Sequence, residues 1–208
     1  MSRPFTRILI TGGSGFLGQF LLEAAPAGAE ILSLYHTRAL PAMPIKQMNL
    51  NLADEEALHT LLDEYQPDLV IHAAALSDVH ACEANPEQSH RVNVLATRHL
   101  AIACQQRSIR MVFTSTDLVF DGTQPPYSPE DPTCPVSTYG RHKVAAEQVI
   151  QQVYPEATIA RLPVMYGWPK IWRKNLLSAF VQQLAEGKSA YLFTDEFRSI
   201  AHAADVAE

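Results

Sequence analysis

Short runs of apolar residues alternate along the chain with longer segments in which apolar residues recur every three or four positions. The run RILIT at residues 7–11 is apolar nearly throughout, which is typical of a parallel strand covered on both faces. The runs DLVIH at 68–72 and RMVFT at 110–114 have the same character. The predicted strands are residues 7–11, 30–35, 46–50, 68–72, 110–114 and 157–162.

The segments between these runs carry helix signals. Asp54 stands before an amphipathic segment as a predicted N-cap, and Pro67 lies just beyond its end. The predicted helices are residues 15–25, 54–65, 86–107, 138–153 and 173–186. Strands that alternate with helices imply right-handed crossovers and an open parallel sheet. The pattern therefore predicts an α/β protein with a Rossmann-type doubly wound parallel sheet, followed after about residue 165 by the beginning of a smaller C-terminal lobe.

The composition narrows the class of protein. The chain has 208 residues, of which 47% are hydrophobic and 18% charged, and its net charge is -6, so we expect a folded domain and no nucleic-acid partner. Its three cysteines form no CxxC pair, which favours a reducing compartment. Neither a signal peptide nor a run of roughly 18 apolar residues is present. We therefore expect a cytoplasmic protein without a membrane partner.

The first strand runs directly into a glycine-rich turn, Gly12-Gly-Ser-Gly-Phe-Leu-Gly18. Gly12, Gly15 and Gly18 follow a GxxGxxG spacing between a strand and a helix. Glycine permits a tight turn and lets backbone N–H groups approach a pyrophosphate at the helix N-terminus. The turn therefore predicts a dinucleotide site, to which we also assign Phe16 and Leu17. An ordinary glycine-rich turn is the alternative.

The end of the second predicted strand bears on the choice of dinucleotide. A site selective for NAD usually has an acidic residue there to hold the ribose 2′-hydroxyl. This chain has Tyr35-His-Thr-Arg38 instead. Arg38, helped by His36, could pair with a 2′-phosphate, which favours NADP(H) and leaves NAD(H) as the second choice. The alternative is that Arg38 is a solvated loop residue.

Tyr139 and Lys143 form a YxxxK motif and lie four residues apart on one face of a predicted helix. A lysine ammonium group and the positive nicotinamide ring would lower the tyrosine pKa from about 10, so that Tyr139 could give a proton to a carbonyl oxygen. A hydroxyl at the carboxyl end of the fifth strand could orient the same carbonyl, and we choose Thr116 over Ser115 for that role. A surface tyrosine and lysine are the alternative.

Seven segments of the chain together resemble a known family. They are residues 10–18, 70–79 with Cys82-Glu83, 92–93, 115–122 (STDLVFDG), 126–127, 136–143 with Glu147, and 161–167. In these segments the chain resembles an extended short-chain dehydrogenase/reductase, and within that group it is most similar to the dTDP-4-dehydrorhamnose reductase family. The resemblance covers nearly the whole chain.

The resemblance implies roles for further residues. Thr116, Tyr139 and Lys143 would form the catalytic triad, and Lys143 would also bind the nicotinamide ribose. Asn93 would steady the active-site helix. Asn51 stands where the family commonly has an aspartate that contacts adenine. We assign the following residues to the cofactor: Asn51, Leu52, Ala73, Ala74, Ala75, Asn93, Thr114 and Pro163. We assign Thr116, Asp117 and Val164 to the substrate.

Two other groups of residues invite a function. Arg198 could bind a substrate phosphate, and a surface ion pair is the equal alternative. His72, His80 and Cys82 lack the spacing of metal ligands, so we expect no metal site.

These patterns predict a NAD(P)-binding Rossmann domain over residues 1–165 and part of a substrate-binding lobe over residues 166–208, since family members continue well past residue 208. The expected activity is NAD(P)H-dependent reduction of a 4-keto deoxy sugar nucleotide. The alternatives are a nucleotide-sugar epimerase or dehydratase of the same superfamily, and a non-catalytic NADP-binding regulatory subunit. Family likeness also suggests a homodimer.

Overall fold

Six parallel strands form the central sheet in a computed structural model, which describes residues 5–41, 44–168, 171, 175–191, 194–195 and 197–208. The strands are β1 (Arg7–Thr11), β2 (Glu30–Tyr35), β3 (Lys46–Asn49), β4 (Leu69–His72), β5 (Arg110–Thr116) and β6 (Thr158–Leu162). Their order across the sheet is β3-β2-β1-β4-β5-β6. The predicted Rossmann-type α/β fold is confirmed. Within β1, Thr11 pairs with Leu34 on one side and His72 on the other, so three strand ends lie side by side.

The helices join these strands on both faces of the sheet. They are α1 (Phe16–Ala24), α2 (Glu55–Tyr65), α3 (Val79–Ala84), α4 (Pro86–His90), α5 (Ala96–Gln106), α6 (Thr138–Val153), α7 (Leu176–Ala185) and α8 (Ala203–Ala207). The predicted helix over 86–107 is divided by a π-helical turn, Arg91–Leu95. The short α3 was not predicted. Residues 173 and 174 of the last predicted helix lie outside the described residues. No helix in the described part of the chain has the length and apolar character needed to cross a bilayer.

The sheet carries a separate apolar core on each face. Adjacent residues of a strand point to opposite faces, so Leu9 joins one core while Ile8 and Ile10 join the other. The larger core contains side chains from α2, α5 and α6, and the smaller core receives Leu22 from α1. This arrangement leaves the carboxyl edge of the sheet to the loops, where a ligand would bind.

A second, two-stranded parallel sheet follows the first. It pairs β7 (Val164–Tyr166) with β8 (Ile200–His202), and α8 follows directly. Its contact with the main sheet runs through α1, where the rings of Phe20 and His202 meet edge to face at 5.9 Å. A Cβ atom on Gly167 would lie 2.9 Å from Cζ of Phe20, so glycine lets the two parts approach. The boundary predicted after residue 165 falls within β7.

Candidate active site

The glycine turn lies between β1 and α1, packed tightly against its neighbours. A Cβ atom on Gly12 would lie 2.7 Å from backbone atoms of Ala74, and Gly12 has a positive φ of 71°. A Cβ atom on Gly18 would lie 2.3 Å from the carbonyl oxygen of Gly12. Gly13, which the spacing rule leaves free, is also restricted, because a Cβ atom there would lie 2.1 Å from Oγ of Ser33. A side chain at position 13 would therefore require the Ser33 hydroxyl to move, whereas Gly12 and Gly18 face backbone atoms.

The first turn of α1 suits an anionic group. Gly15 is its N-cap residue and provides no side-chain hydrogen bond to the helix amides. Unsatisfied amides and the helix dipole both favour a negative charge at such an end. Phe16 is partly exposed there, whereas Leu17 and Gly18 are buried. The turn thus fits a dinucleotide pyrophosphate through its backbone, with Leu17 and Gly18 packing beneath.

The loop after β4 lies against the glycine turn. The amides of Ala73 and Ala74 donate to the carbonyl and hydroxyl oxygens of Thr11, each at 3.2 Å. Asn93, in the π-helical turn, is only 1% exposed, and its side chain both donates to and accepts from the backbone of Leu76 at 2.9 Å. Ala75 lies between these anchored residues. Asn93 therefore holds the loop, and its assignment to the cofactor stays a prediction.

The ends of β2 and β3 lie side by side, with Tyr35 in register with Asn49. His36 and Arg38 are exposed just after β2, and Arg38 forms no hydrogen bond or ion pair with any described residue. Asn49, which was not assigned to the site, donates from Nδ2 to the carbonyl oxygen of His36 at 2.5 Å. The loop that carries Arg38 is thereby tied to β3.

Asn51 and Leu52 follow β3 at the same edge. The side-chain oxygen of Asn51 accepts from the amide of Ala53 at 3.0 Å, and Asn51 is exposed while Leu52 is partly buried. The side-chain amide group of Asn51 is thus still available to a ligand, which an aspartate could not offer as a donor.

Three consecutive residues at the end of β5 have different partners. Thr114 donates from its hydroxyl to the carbonyl oxygen of His72 at 3.1 Å. Ser115 donates to the buried carboxylate of Glu147. Thr116 accepts from the amide of Leu118 at 3.2 Å and donates to Asp117 at 3.2 Å. Because the hydroxyl of Ser115 is held by Glu147, Thr116 is the better placed of the two to meet a substrate.

Helix α6 begins close to the end of β5. Ser137 caps it by accepting from the amide of Gly140 at 3.0 Å, and Glu83 of α3 accepts from the amide and hydroxyl of Thr138 at 2.6 and 2.7 Å. A Cβ atom on Gly140 would lie 2.3 Å from the carbonyl oxygen of Leu118. Glycine at this position lets the helix contact the 3₁₀ turn Asp117–Val119, which brings Tyr139 next to the Thr116 segment.

Tyr139 is 9% exposed, and its hydroxyl forms no hydrogen bond with any described residue. Burial raises the pKa of Tyr139 well above its ordinary value, and smaller electrostatic effects of Cys82 and Asp117 act in the same direction. Desolvation thus dominates in the protein without a bound ligand, and the lowering of this pKa by Lys143 together with a bound nicotinamide stays a prediction.

Lys143 is 2% exposed and donates from Nζ to the carbonyl oxygen of Thr114 at 2.7 Å. Its Nζ also lies 3.9 Å from the ring centroid of Phe113. Burial lowers the pKa of Lys143 to about 7, against a smaller opposing effect of Glu147. A lysine with this pKa is only partly charged near neutrality.

Two residues assigned to the substrate bind each other instead. Nη2 of Arg198 lies 3.0 and 3.1 Å from the carboxylate oxygens of Asp117. Of the two interpretations of Arg198, the structure shows an ion pair, with both side chains a little over a quarter exposed. Val164 lies in β7 and Pro163 joins β6 to β7, both partly buried.

On the sequence alone, His72 was considered only as a metal ligand. In the structure its two ring nitrogens form hydrogen bonds with threonine hydroxyls. Its Nδ1 lies 2.7 Å from Oγ1 of Thr11 and its Nε2 lies 2.9 Å from Oγ1 of Thr97. Burial lowers the pKa of His72 to about 3, with help from Lys143, so the ring is neutral. Among the described residues no group of three or more His, Cys, Asp or Glu side chains could hold a metal. His72 links β1, β4 and α5.

The sheet order, the glycine turn after β1 and a Tyr–Lys helix next to the end of β5 define a protein of the extended short-chain dehydrogenase/reductase class. Residues 6–208 match the family model for the RmlD substrate binding domain, and the chain belongs to this family.

Two curated relatives illustrate the range of the family. The chain is 36% identical over 204 residues to a probable low-salt glycan biosynthesis reductase of Haloferax volcanii. This alignment covers 95% of this chain and 67% of the relative. It is 31% identical over 206 residues to the methionine adenosyltransferase 2 subunit beta of Rattus norvegicus. This alignment covers 98% of this chain and 60% of the relative. The chain thus spans about two thirds of the length of these relatives.

Three solved structures have the same fold. A hypothetical dTDP-4-dehydrorhamnose reductase from Sulfolobus tokodaii is 29% identical with a TM-score of 0.85, over 97% of this chain and 69% of that one. A UDP-glucose 4-epimerase of Thermus thermophilus in complex with NAD is 26% identical with a TM-score of 0.82, over 97% and 72%. The dTDP-4-dehydrorhamnose reductase of Bacillus anthracis in complex with NADP has a TM-score of 0.85 at 24% identity, over 100% and 70%.

Proposed function

We propose that the protein is an NADP(H)-dependent reductase of a 4-keto deoxy sugar nucleotide. One observation carries the proposal: the hydroxyl of Tyr139 has no hydrogen-bond partner among the described residues, although it lies on the helix that contacts the Thr116 segment. The hydroxyl oxygen itself is accessible, because it is not one of the fully buried polar atoms without a partner among the described residues, and a ligand could supply the missing hydrogen bond. A substrate carbonyl oxygen between Tyr139 and Thr116 would do so.

The cofactor assignment draws on the glycine turn and on the relatives. Related structures contain NADP or NAD, which supports a nicotinamide dinucleotide. Backbone amides at the start of α1 would hold its pyrophosphate, and Ala73, Ala74 and Ala75 would border it. Arg38, exposed and with no described partner, would pair with a 2′-phosphate, which favours NADP(H) over NAD(H).

The chain's own residues would supply the proton and the orientation. When bound, the nicotinamide supplies the hydride. Tyr139 would donate a proton to the carbonyl oxygen, and Thr116 would orient that oxygen. Lys143 would bind the nicotinamide ribose and, once charged, would lower the pKa of Tyr139. The positive charge that arrives with the oxidised ring would act in the same direction.

Residues 166–208 would contribute to a substrate lobe beside the Rossmann part, residues 1–165. Asp117, Arg198 and Val164 line the region between β5 and the second sheet. A sugar nucleotide carries a diphosphate, which could replace Asp117 as the partner of Arg198. This competition would let the substrate free Asp117 beside Thr116.

The proposal is tested by mixing the protein with NADPH and a dTDP-4-keto-6-deoxy sugar and following absorbance of NADPH. Steady consumption is expected. In Tyr139→Phe, turnover should fall by roughly 10²- to 10⁴-fold while NADPH still raises Tm, because only the proton donor is removed. Turnover that is equal in Tyr139→Phe and the wild type would contradict the assigned role.

A non-catalytic regulatory subunit is the second candidate. It is favoured by the similarity to the methionine adenosyltransferase subunit and by the raised pKa of Tyr139 in the protein without ligand. NADPH binding without turnover of any sugar nucleotide, together with co-purification with a larger enzyme, would support it. Product formation without net NADPH consumption would instead indicate the epimerase or dehydratase alternative.

A further inference from the structure

A buried hydrogen-bond network lies directly behind the candidate active site. Glu147 of α6 is 3% exposed, and its carboxylate accepts from the hydroxyl of Ser115 at the end of β5. Arg161 of β6 donates to the same carboxylate from Nε, at 3.2 Å to each oxygen, and from Nη2 at 2.8 Å. A further bond at 3.0 Å joins Arg161 to the carbonyl oxygen of Pro129. One carboxylate therefore connects two strands and a helix.

This carboxylate is placed to act on Lys143. Glu147 follows Lys143 by four residues on α6, so the two side chains are neighbours one turn apart. Lys143 has no carboxylate partner within ion-pair distance among the described residues. Its contacts among the described residues are neutral, namely the carbonyl oxygen of Thr114 and the ring of Phe113. The negative charge of Glu147 is thus the nearby compensation for a buried ammonium group.

We propose that Glu147 is a positioning residue of the active site: it holds the hydroxyl of Ser115 away from the substrate position, and its negative charge favours the ammonium form of Lys143. Neither effect requires Glu147 to contact a ligand. Its consequence for catalysis rests on the proposed function, whereas its effect on Lys143 belongs to the protein itself.

The charges around Lys143 make the sign of this effect clear. On β4, His72 is neutral, and on α6, Tyr139 keeps its proton because burial raises its pKa. Arg161 on β6 is positive and repels the ammonium group. Replacement of Glu147 by glutamine would leave the buried Lys143 and the partly exposed Arg161 as two cations without this anion. Arginine holds its proton under all ordinary conditions, so Lys143 is the group that responds.

The experiment follows Lys143 directly by NMR of protein labelled at lysine Cε and Nζ, titrated from pH 5.5 to 9. The chain has five lysines, and a lysine with an ordinary pKa near 10.4 stays charged over this range. Lys143→Met identifies the signal by its loss. In Glu147→Gln we expect the pKa of Lys143 to fall by about 1 unit. Glu64→Gln, which removes an exposed carboxylate from α2, should leave it unchanged.

The double variant Glu147→Gln/Arg161→Gln provides the decisive comparison, and it removes the unpaired arginine charge that could prevent folding of the single variant. Because both an attractive and a repulsive neighbour are gone, the pKa of Lys143 should return towards the wild-type value. A network that only supports packing would give no such reversal. An unchanged pKa in both variants, or equal falls in both, would overturn the proposal.

NADPH titrations on the same samples keep this result separate from the proposed function. If the wild type binds no NADPH and reduces no sugar nucleotide, the proposed function fails, while the NMR shift still decides the role of Glu147. If the wild type is active, the pH above which its turnover declines as Lys143 loses its proton should move down with the Lys143 pKa in Glu147→Gln.

Discussion

Lys143 illustrates what a buried functional residue costs the fold. Its pKa in the folded protein is about 7, against 10.5 for an ordinary lysine, because burial disfavours the ammonium form. Below pH 7 both the folded and the unfolded chain carry the proton, so the full cost of burying the charge is present. Between pH 7 and 10.5 the folded protein has lost the proton while the unfolded chain retains it, so this cost falls as the pH rises.

Lys143→Met is therefore expected to stabilise the protein at pH 6.5, by about 2 to 4 kcal/mol, since methionine fills a similar space without a charge to desolvate. The gain should shrink towards pH 10. Urea unfolding at both pH values measures it, with Lys188→Met on the surface as the control, expected within about 0.5 kcal/mol of the wild type. Destabilisation by Lys143→Met at pH 6.5 would show that its contacts with Thr114 and Phe113 outweigh desolvation.

Arg38 is the residue on which cofactor choice is expected to depend. It is exposed after β2 and forms no hydrogen bond or ion pair with the described residues. A charge-assisted bond to a 2′-phosphate contributes about 1.5 to 3 kcal/mol, so Arg38→Ala should weaken NADPH binding roughly 10-fold or more. Binding of NADH, which lacks that phosphate, should change little. Calorimetric titration of both dinucleotides tests this, and equal losses for NADPH and NADH would remove Arg38 from that role.

At the residue scale, the sequence identifies side chains whose chemistry is local and misses those whose partners are distant. Thr116 could be chosen over Ser115 from its position, but the bond from Ser115 to Glu147 joins residues 32 positions apart and has no local signal. The effect of burial on the pKa of Tyr139 has no local signal for the same reason. A spacing of four residues suggests a nearby cation, whereas the dominant desolvation depends on the whole packed environment.

At the scale of elements, the start of α6 is held by close packing against the 3₁₀ turn after β5. Gly140→Ala should test this, because its Cβ atom would lie 2.3 Å from the carbonyl oxygen of Leu118. Although alanine favours a helix, the clash is expected to destabilise the protein by about 1 to 3 kcal/mol and to reduce turnover more than NADPH binding. Both are measured on one preparation, by urea unfolding and by NADPH titration.

Gly28→Ala is the matched control for Gly140→Ala. A Cβ atom on Gly28 would have no neighbour within 4 Å, so only its positive φ of 87° adds strain, of about 1 kcal/mol. Its turnover should equal that of the wild type. If Gly140→Ala were as stable and as active as the wild type, close contact between α6 and the turn would not be needed for the site.

The predicted elements that proved correct are those with a long or strongly apolar pattern. The strands β1, β4 and β5 and the helices α2 and α6 fall within a few residues of their predicted positions. The six-residue α3 is too short to show a helical period. The strands β7 and β8 have three residues each and pair over about 36 positions, so no local pattern reveals them. Their formation depends on packing against α1.

At the scale of the whole molecule, the order of the strands determines where a ligand can bind. The chain leaves β1 towards β2 on one side and returns to β4 on the other, so the loops after β1 and β4 separate at the carboxyl edge of the sheet. Such a crevice is the usual binding place in an open α/β sheet. The glycine turn, the Ala73–Ala75 loop and the end of β5 all border it, which explains why residues far apart in sequence form one site.

Hydrogen exchange with and without NADPH should show that the ligand binds at the carboxyl edge of the sheet and not at the amino edge. Amides of residues 12–18 and 73–76 should exchange more slowly in the presence of NADPH, because a bound dinucleotide would cover the turn and stabilise the loop that Asn93 anchors. Amides at the opposite edge, where β4, β5 and β6 begin, serve as the internal control and should keep their rates. Mass spectrometry of peptic fragments resolves the two edges. Slower exchange only at the edge where the strands begin, or equally slower exchange at both edges, would be inconsistent with binding at the crevice. A ligand in the crevice has no direct contact with the starts of the strands.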